Sequence, residues 1–311
     1  RAPAPKVSVD TGFAASTPAT DGHRVFALFA NGELAACDLA GKLLWQRELG
    51  PWANPYGHAS SPLCWGGLLI LQLDQDEEGG SSELLALDPA TGATRWQTAR
   101  DTGPSWSSPV AVPAADGELI VTSCSPWVQA YELLSGRERW RTEVLGGELV
   151  TSPAAAHGLV VAASAYAKGA VWPVTATGEI PATQWLWSTD EQLPEISSPV
   201  ADDDRVYWAE GDLLQAFELR TGRRLWSTST DLNLQASPVL AGGAIYALGA
   251  DGALVVAAAG DTWQELGRWP IGQITRGTPA LARGWVFIRG ENELIALAGA
   301  KTPPLAAEVA P

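Results

Sequence analysis

The stretch Ala86-Leu-Asp88-Pro-Ala-Thr91-Gly92-Ala-Thr-Arg-Trp96 returns as Ala130-x-Glu132-x-x-Ser135-Gly136-x-x-x-Trp140 and as Ala216-x-Glu218-x-x-Thr221-Gly222-x-x-x-Trp226. A shortened copy, Ala36-x-Asp38-x-x-Gly41-x-x-x-Trp45, precedes them. Each position has a physical task. A small Ala permits close packing, and Asp or Glu with Thr or Ser bridges a tight turn through side-chain to backbone hydrogen bonds. Gly supplies a positive φ, and Trp offers a large apolar face to a neighbouring element. One copy marks a hairpin, whereas several mark a repeat architecture.

Working outward, a Ser/Thr/Ala-rich step ending in proline occurs at Pro18, Pro62, Pro109, Pro153, Pro199, Pro238 and Pro279. The spacing of about 39 to 47 residues matches a blade of four strands. After each proline come a short apolar run, a tight turn such as Asp21-Gly22 or Gly66-Gly67, a β-branched or aromatic run such as Arg205 to Trp208, and a third run such as Glu83 to Leu87. No segment has helical periodicity of helical length. These features predict an all-β, seven-bladed β-propeller of four-stranded antiparallel blades, with residues 1–311 as a single propeller domain and 1–5 and 302–311 as linker-like tails. Unit seven lacks a tryptophan strand, so Lys6–Asp10 is expected to complete it and close the ring. Units four and six depart from the repeat at Thr177-Gly178 and Gly260-Asp261 and are expected to be the least regular blades.

The repeated tryptophan motif resembles the docking repeat of the pyrroloquinoline-quinone (PQQ) type propellers. Tyr56-Gly-His58-Ala-Ser-Ser-Pro62, with Gln72-Leu-Asp74 and Trp106-Ser-Ser-Pro109, further resembles the PQQ-like repeat proteins similar to the outer-membrane assembly propeller lipoprotein. The quinoprotein dehydrogenases of this broad family carry eight blades, a calcium ion beside the quinone, an aspartate base and in many members a vicinal cysteine pair. Here there are seven repeats and three separated cysteines, Cys37, Cys64 and Cys124, which read as small buried hydrophobes inside strands. The resemblance therefore implies a non-catalytic propeller, with PQQ and calcium as the alternative cofactor reading.

Composition excludes other classes. A net charge of −15 repels phosphate backbones and anionic membrane surfaces. No apolar run approaches the roughly 18 residues of a membrane span. Three histidines at unrelated spacings give no metal triad, and no nucleophile elbow or phosphate loop is present. The acidic loop Asp74-Gln-Asp76-Glu-Glu78-Gly-Gly80 has an Asp-x-Asp with hard oxygen donors for calcium, but it lacks a distal bidentate Glu and reads as a solvated hairpin.

Ligand sites of propellers favour the mouth of the central channel. With the proline strand innermost, Phe13, His58, Trp106, Glu148, Glu195, Gln235 and Arg276 ring that mouth, one from each unit. Tyr56, His58 and Trp106 are the expected anchors for a protein or peptide partner. In the alternative reading Glu195, Gln235 and Arg276 hold an anionic quinone. The expected setting is periplasmic or extracellular, free or within a longer or membrane-anchored polypeptide, with no nucleic acid and no membrane insertion.

Overall fold

In the computed structural model, which describes residues 7–8, 12–76 and 80–299, seven antiparallel sheets follow one another along the chain. Blade one consists of Ala19–Thr20, Arg24–Leu28, Glu33–Asp38 and Leu43–Glu48, hydrogen-bonded in that order. Later blades repeat the order, and the first strands of successive blades lie against one another from blade one to blade six, which places them around the axis. Each tight turn between first and second strands and between third and fourth strands therefore lies on one face. The proline steps and the hairpins between second and third strands form the other face, the channel mouth.

Six apolar cores are present among the described residues, each between two adjacent blades rather than inside one. This follows from strand alternation, since a sheet stacked on both sides buries both faces. Ile70 and Leu84 face blade three while Leu69, Leu71 and Leu85 of the same blade face blade one.

The motif now has a geometric reason. In four blades the docking tryptophan pairs with the small Ala of the third strand, as Ala36 with Trp45, Ala86 with Trp96, Ala130 with Trp140 and Ala216 with Trp226, and the ladder shifts by a bulge immediately afterwards. The indole crosses to the next blade: Trp45 Nε1 donates to the Pro89 carbonyl at 3.0 Å and Trp96 Nε1 to the Leu133 carbonyl at 2.9 Å. The turn glycine receives the ring. A Cβ on Gly136, which has φ +67°, would stand 2.4 Å from Trp96, so any side chain there collides as well as strains the backbone.

The proline step has an equally regular role. The residue before each of the first six prolines donates its backbone N–H to the hydroxyl of the matching residue one blade on: Thr17 to Ser61, Ser61 to Ser108, Ser108 to Ser152, Ser152 to Ser198, Ser198 to Ser237 and Ser237 to Thr278. The donor lies ahead of the first strand, where its N–H has no ladder partner, and the neighbouring hydroxyl supplies one.

Blade four is irregular in a specific way. Its insertion sends Gly178–Glu179 across to blade three as a fifth, parallel strand beside Glu138–Glu143, and Trp185 Nε1 donates to Thr142 Oγ1 at 3.0 Å. Trp187 then takes the docking role against Leu219 and Gly222. Blade six keeps four strands, but Gly267 stands opposite Val256 where other blades place tryptophan, and the Trp269 ring covers it. Blade seven shows Ala280–Ala282, Trp285–Arg289 and Leu294–Ala298 among the described residues. The expected closing strand Lys6–Asp10 lies outside them apart from Val7 and Ser8, and Ser8 donates its N–H to the Tyr56 carbonyl at 3.0 Å. No helix among the described residues is long and apolar enough to cross a membrane.

Candidate functional site

The mouth is built from loops that the repeat does not constrain. Tyr56 is 47% exposed on the loop entering blade two, and its ring lies 5.3 Å from that of Trp106 on the loop entering blade three. Trp106 Nε1 donates to the Gly57 carbonyl at 3.0 Å, which ties the two loops together. The Tyr56 hydroxyl donates to Glu148 at 3.3 Å, extending the group to the loop entering blade four.

Beneath Trp106 lies a buried charge network. Arg100, at the end of Thr94–Arg100, pairs with Asp74 at 2.8 Å, both side chains being essentially inaccessible. Burial opposes the Arg100 charge, yet Asp74 outweighs it and holds the guanidinium above its usual pKa range. Arg100 also donates to Thr122 and Tyr131, while Asp74 accepts from Gln72 and Ser105. Such a pair is tolerable only when its remaining hydrogen bonds are met. Since Ser105 precedes Trp106 directly, the network fixes the loop that presents the indole. Asp74 is thereby withdrawn from the cation role weighed for the acidic loop, and Glu77, Glu78 and Gly79 lie outside the described residues. No cluster of three or more His, Cys, Asp or Glu suited to a metal ion occurs among the described residues.

His58 corrects an expectation. It is 3% exposed, stacked 4.6 Å from Trp52, with Nε2 3.1 Å from the Ser60 carbonyl. Burial lowers its pKa to about 4, against the opposing pull of Ser60 and Asp74, so the ring is neutral near pH 7. It supports the Tyr56 loop from below and offers nothing to a ligand at the rim.

Glu195 and Gln235 meet in a small cavity between the loops entering blades five and six. Tyr166, from the hairpin between the second and third strands of blade four, donates its hydroxyl to Glu195 at 2.8 Å. That bond, with the charges of Glu195, Glu148 and Glu210, raises the tyrosine pKa. Arg276 is exposed on the loop entering blade seven and is not among the residues lining that cavity. The structure thus joins Tyr56 with Trp106, and Glu195 with Gln235, buries His58 beneath the first pair and leaves Arg276 outside the cavity lining. Sequence reasoning missed Tyr166 and Glu210. Both sit in second-to-third-strand hairpins, and the signal available was that these hairpins open on the same face as the proline steps.

Of the tryptophans outside the docking position, Trp52 and Trp208 are buried and Trp65 is 40% exposed on the opposite face, where its Nε1 donates to Glu118 at 2.7 Å. A wider groove of about 720 Å³ runs past Trp65, Asp21 and Asp88. Cys64 in that groove has its thiol pushed up to about 11, chiefly by burial, and is unreactive near neutrality. Cys124 is buried as expected, whereas Cys37 and Cys64 are only half-buried.

Comparison with known proteins gives three kinds of match. The family described as outer membrane protein assembly factor BamB matches residues 80–301. A relative, the outer membrane protein assembly factor BamB of Moranella endobia (strain PCIT), is 37% identical over 82 residues, 26% of this chain, and the match spans 18% of that protein's length. Among solved structures, BamB from Moraxella catarrhalis superposes with a TM-score of 0.68 at 20% identity, over 88% of this chain and 81% of that one. A europium-containing methanol dehydrogenase gives 0.65 at 14% identity, covering 88% and 72%. The quinohemoprotein alcohol dehydrogenase of Comamonas testosteroni gives 0.63 at 13% identity, covering 87% and 62%. At these identities the structural matches speak for the fold alone.

Proposed function

The chain belongs to the family described as outer membrane protein assembly factor BamB, and from that premise we propose that it is a non-catalytic, extracytoplasmic propeller that holds a protein or peptide partner at its channel mouth during outer-membrane protein assembly. The observation that carries this reading is the joined surface of Tyr56, Trp106 and Glu148, where the exposed Tyr56 and the half-buried Trp106 are locked by hydrogen bonds to their neighbours. Rigid aromatics bordered by polar groups are efficient anchors, because little side-chain entropy remains to be lost on binding.

The quinoprotein alternative is weaker on chemical grounds. PQQ is a tricarboxylate and calls for cations and a calcium ion held by oxygen ligands. Arg276 is exposed on this rim, but Glu148, Glu195 and Glu210 act together at the mouth and their field opposes such a ligand. A mouth dominated by carboxylates does not fit this cofactor.

The test is photocrosslinking in the source cells from a photoreactive residue at Tyr56 and, separately, at Trp65 on the opposite face. A discrete adduct from position 56, identified as an envelope assembly protein and weakened by Trp106→Ala, is expected. Adducts from position 65 with none from 56 overturn the assignment of the mouth, and PQQ-dependent alcohol oxidation by the purified chain overturns the non-catalytic reading.

A further inference from the structure

Between blades five and six the mouth opens into a cavity of about 130 Å³ whose wall includes Glu195, Ile196, Ser197, Glu210, Asn233 and Gln235. Two carboxylates meet there, and no lining residue is basic. Burial raises the Glu210 carboxyl above its usual range; the Glu195 backbone N–H works against the rise and the Glu195 charge adds to it. A second, independent feature is Ser197. It is 1% exposed and its Oγ has no hydrogen-bond partner. At the equivalent position of blade three, Ser107 Oγ donates to the Ser123 carbonyl at 2.6 Å, and in blade four Thr151 Oγ1 donates to the Ala163 carbonyl at 2.6 Å. The hydroxyls of Ser16 and Ser60 are also unpartnered, but Ser197 is the one that stands in the wall of this cavity. A buried hydroxyl without a partner is unfavourable and calls for a ligand that completes it.

We infer that this cavity is a socket for a basic side chain, lysine or arginine, of a protein partner. The inference deepens the function proposed above and rests on it. The volume admits an ammonium or guanidinium head with part of its stem, since about 30 Å³ corresponds to one water in the liquid. An ammonium brings three N–H groups and a guanidinium five, and the residues of the wall carry acceptors for them in two carboxylates, a serine hydroxyl and the amides of Asn233 and Gln235. Ile196, 44% exposed, gives the methylene stem an apolar contact. The Tyr166 hydroxyl orients Glu195, leaving the cation to neutralise a pair of carboxylates that now repel each other. An organic cation fits better than a metal, because no cluster of three metal-ligating side chains occurs among the described residues. The net charge of −15 draws basic segments toward the surface.

The probes are two capped, fluorescently labelled hexapeptides, alternating Lys-Ala and alternating Gln-Ala, titrated into the full chain by anisotropy. The lysine peptide is expected to bind at least tenfold more tightly than the glutamine peptide. Glu210→Gln is expected to weaken it about tenfold and Ser197→Ala severalfold, while Asp203→Asn on the opposite face leaves it unchanged. Circular dichroism and the thermal midpoint establish that each variant is folded. Equal affinity for both peptides, or unchanged lysine-peptide affinity in Glu210→Gln, overturns the socket. If the Tyr56 crosslink persists in that case, the partner-binding mouth stands without it; if the crosslink is absent as well, the proposed function falls too.

Discussion

The two faces of this propeller obey opposite rules. On the face of the tight turns, one solution is repeated: Asp88 accepts the Ala90 and Thr91 amides, Ser135 donates to Glu132, and Trp45 and Trp96 dock on the glycines of the next blade. Polar groups there are met by the same contacts from blade to blade, the acidic side chain within its own turn and the indole N–H by a carbonyl of the next blade. On the mouth face the proline step repeats but the loops beside it differ, and their groups are met by singular contacts, as Trp106 by Gly57 and Glu195 by Tyr166, or left unmet, as in Ser197. The contrast teaches that repetition marks what holds the ring together, and divergence marks where a partner has room to be recognised.

If that division holds, the largest effect belongs to the docking face. Trp140 is fully buried, packs edge-on against Trp172 and donates to the Val174 carbonyl at 3.1 Å. Trp140→Ala is expected to cost about 4 kcal/mol, read by chemical denaturation, and to leave peptide affinity per folded molecule unchanged. A change in affinity with no loss of stability breaks the comparison.

The Arg100–Asp74 pair lies where the two regimes touch, since it is both core and support for the Trp106 loop. Arg100→Met leaves a buried carboxylate uncompensated and is expected to cost about 3–5 kcal/mol, with much of the loss regained in the Arg100→Met, Asp74→Leu double variant. A fully stable double variant that still loses the Tyr56 crosslink sharpens the comparison, because the network is then required for shape at the mouth rather than for the fold.

His58 yields a pH signature. Its folded pKa of about 4 lies below the unfolded value near 6.5, so only the unfolded chain takes up the proton between those limits. The contribution is fully present above pH 6.5 and is lost as pH falls toward 4, by about 3 kcal/mol in total. The slope of unfolding free energy against pH should flatten in His58→Gln over that window; equal slopes in both proteins mean that the ring is not held neutral.

The smallest effect is predicted for the hydroxyl series around the axis. Ser152→Ala removes the acceptor for the Ser108 N–H and is expected to cost about 1 kcal/mol, with no effect on binding. A loss of several kcal/mol shows that the series acts cooperatively around the ring.

Sequence alone determined the blade count, the strand order within each blade and the docking role of Trp45, Trp96, Trp140 and Trp226. Those properties are local and repeated, so spacing and residue type carry them. Tyr56 and Trp106 were legible as mouth residues because both are aromatics on loops that lead into a proline step, at Pro62 and Pro109. What the tertiary structure decided is which groups meet across blades. It buried His58, paired Arg100 with Asp74, and moved Gly178–Glu179 into blade three. It also brought Glu195 and Glu210 of blade five to the same cavity as Gln235 of blade six. These contacts depend on how adjacent blades stack, and a periodic pattern within one blade holds no information about which side chain the next blade will set against it.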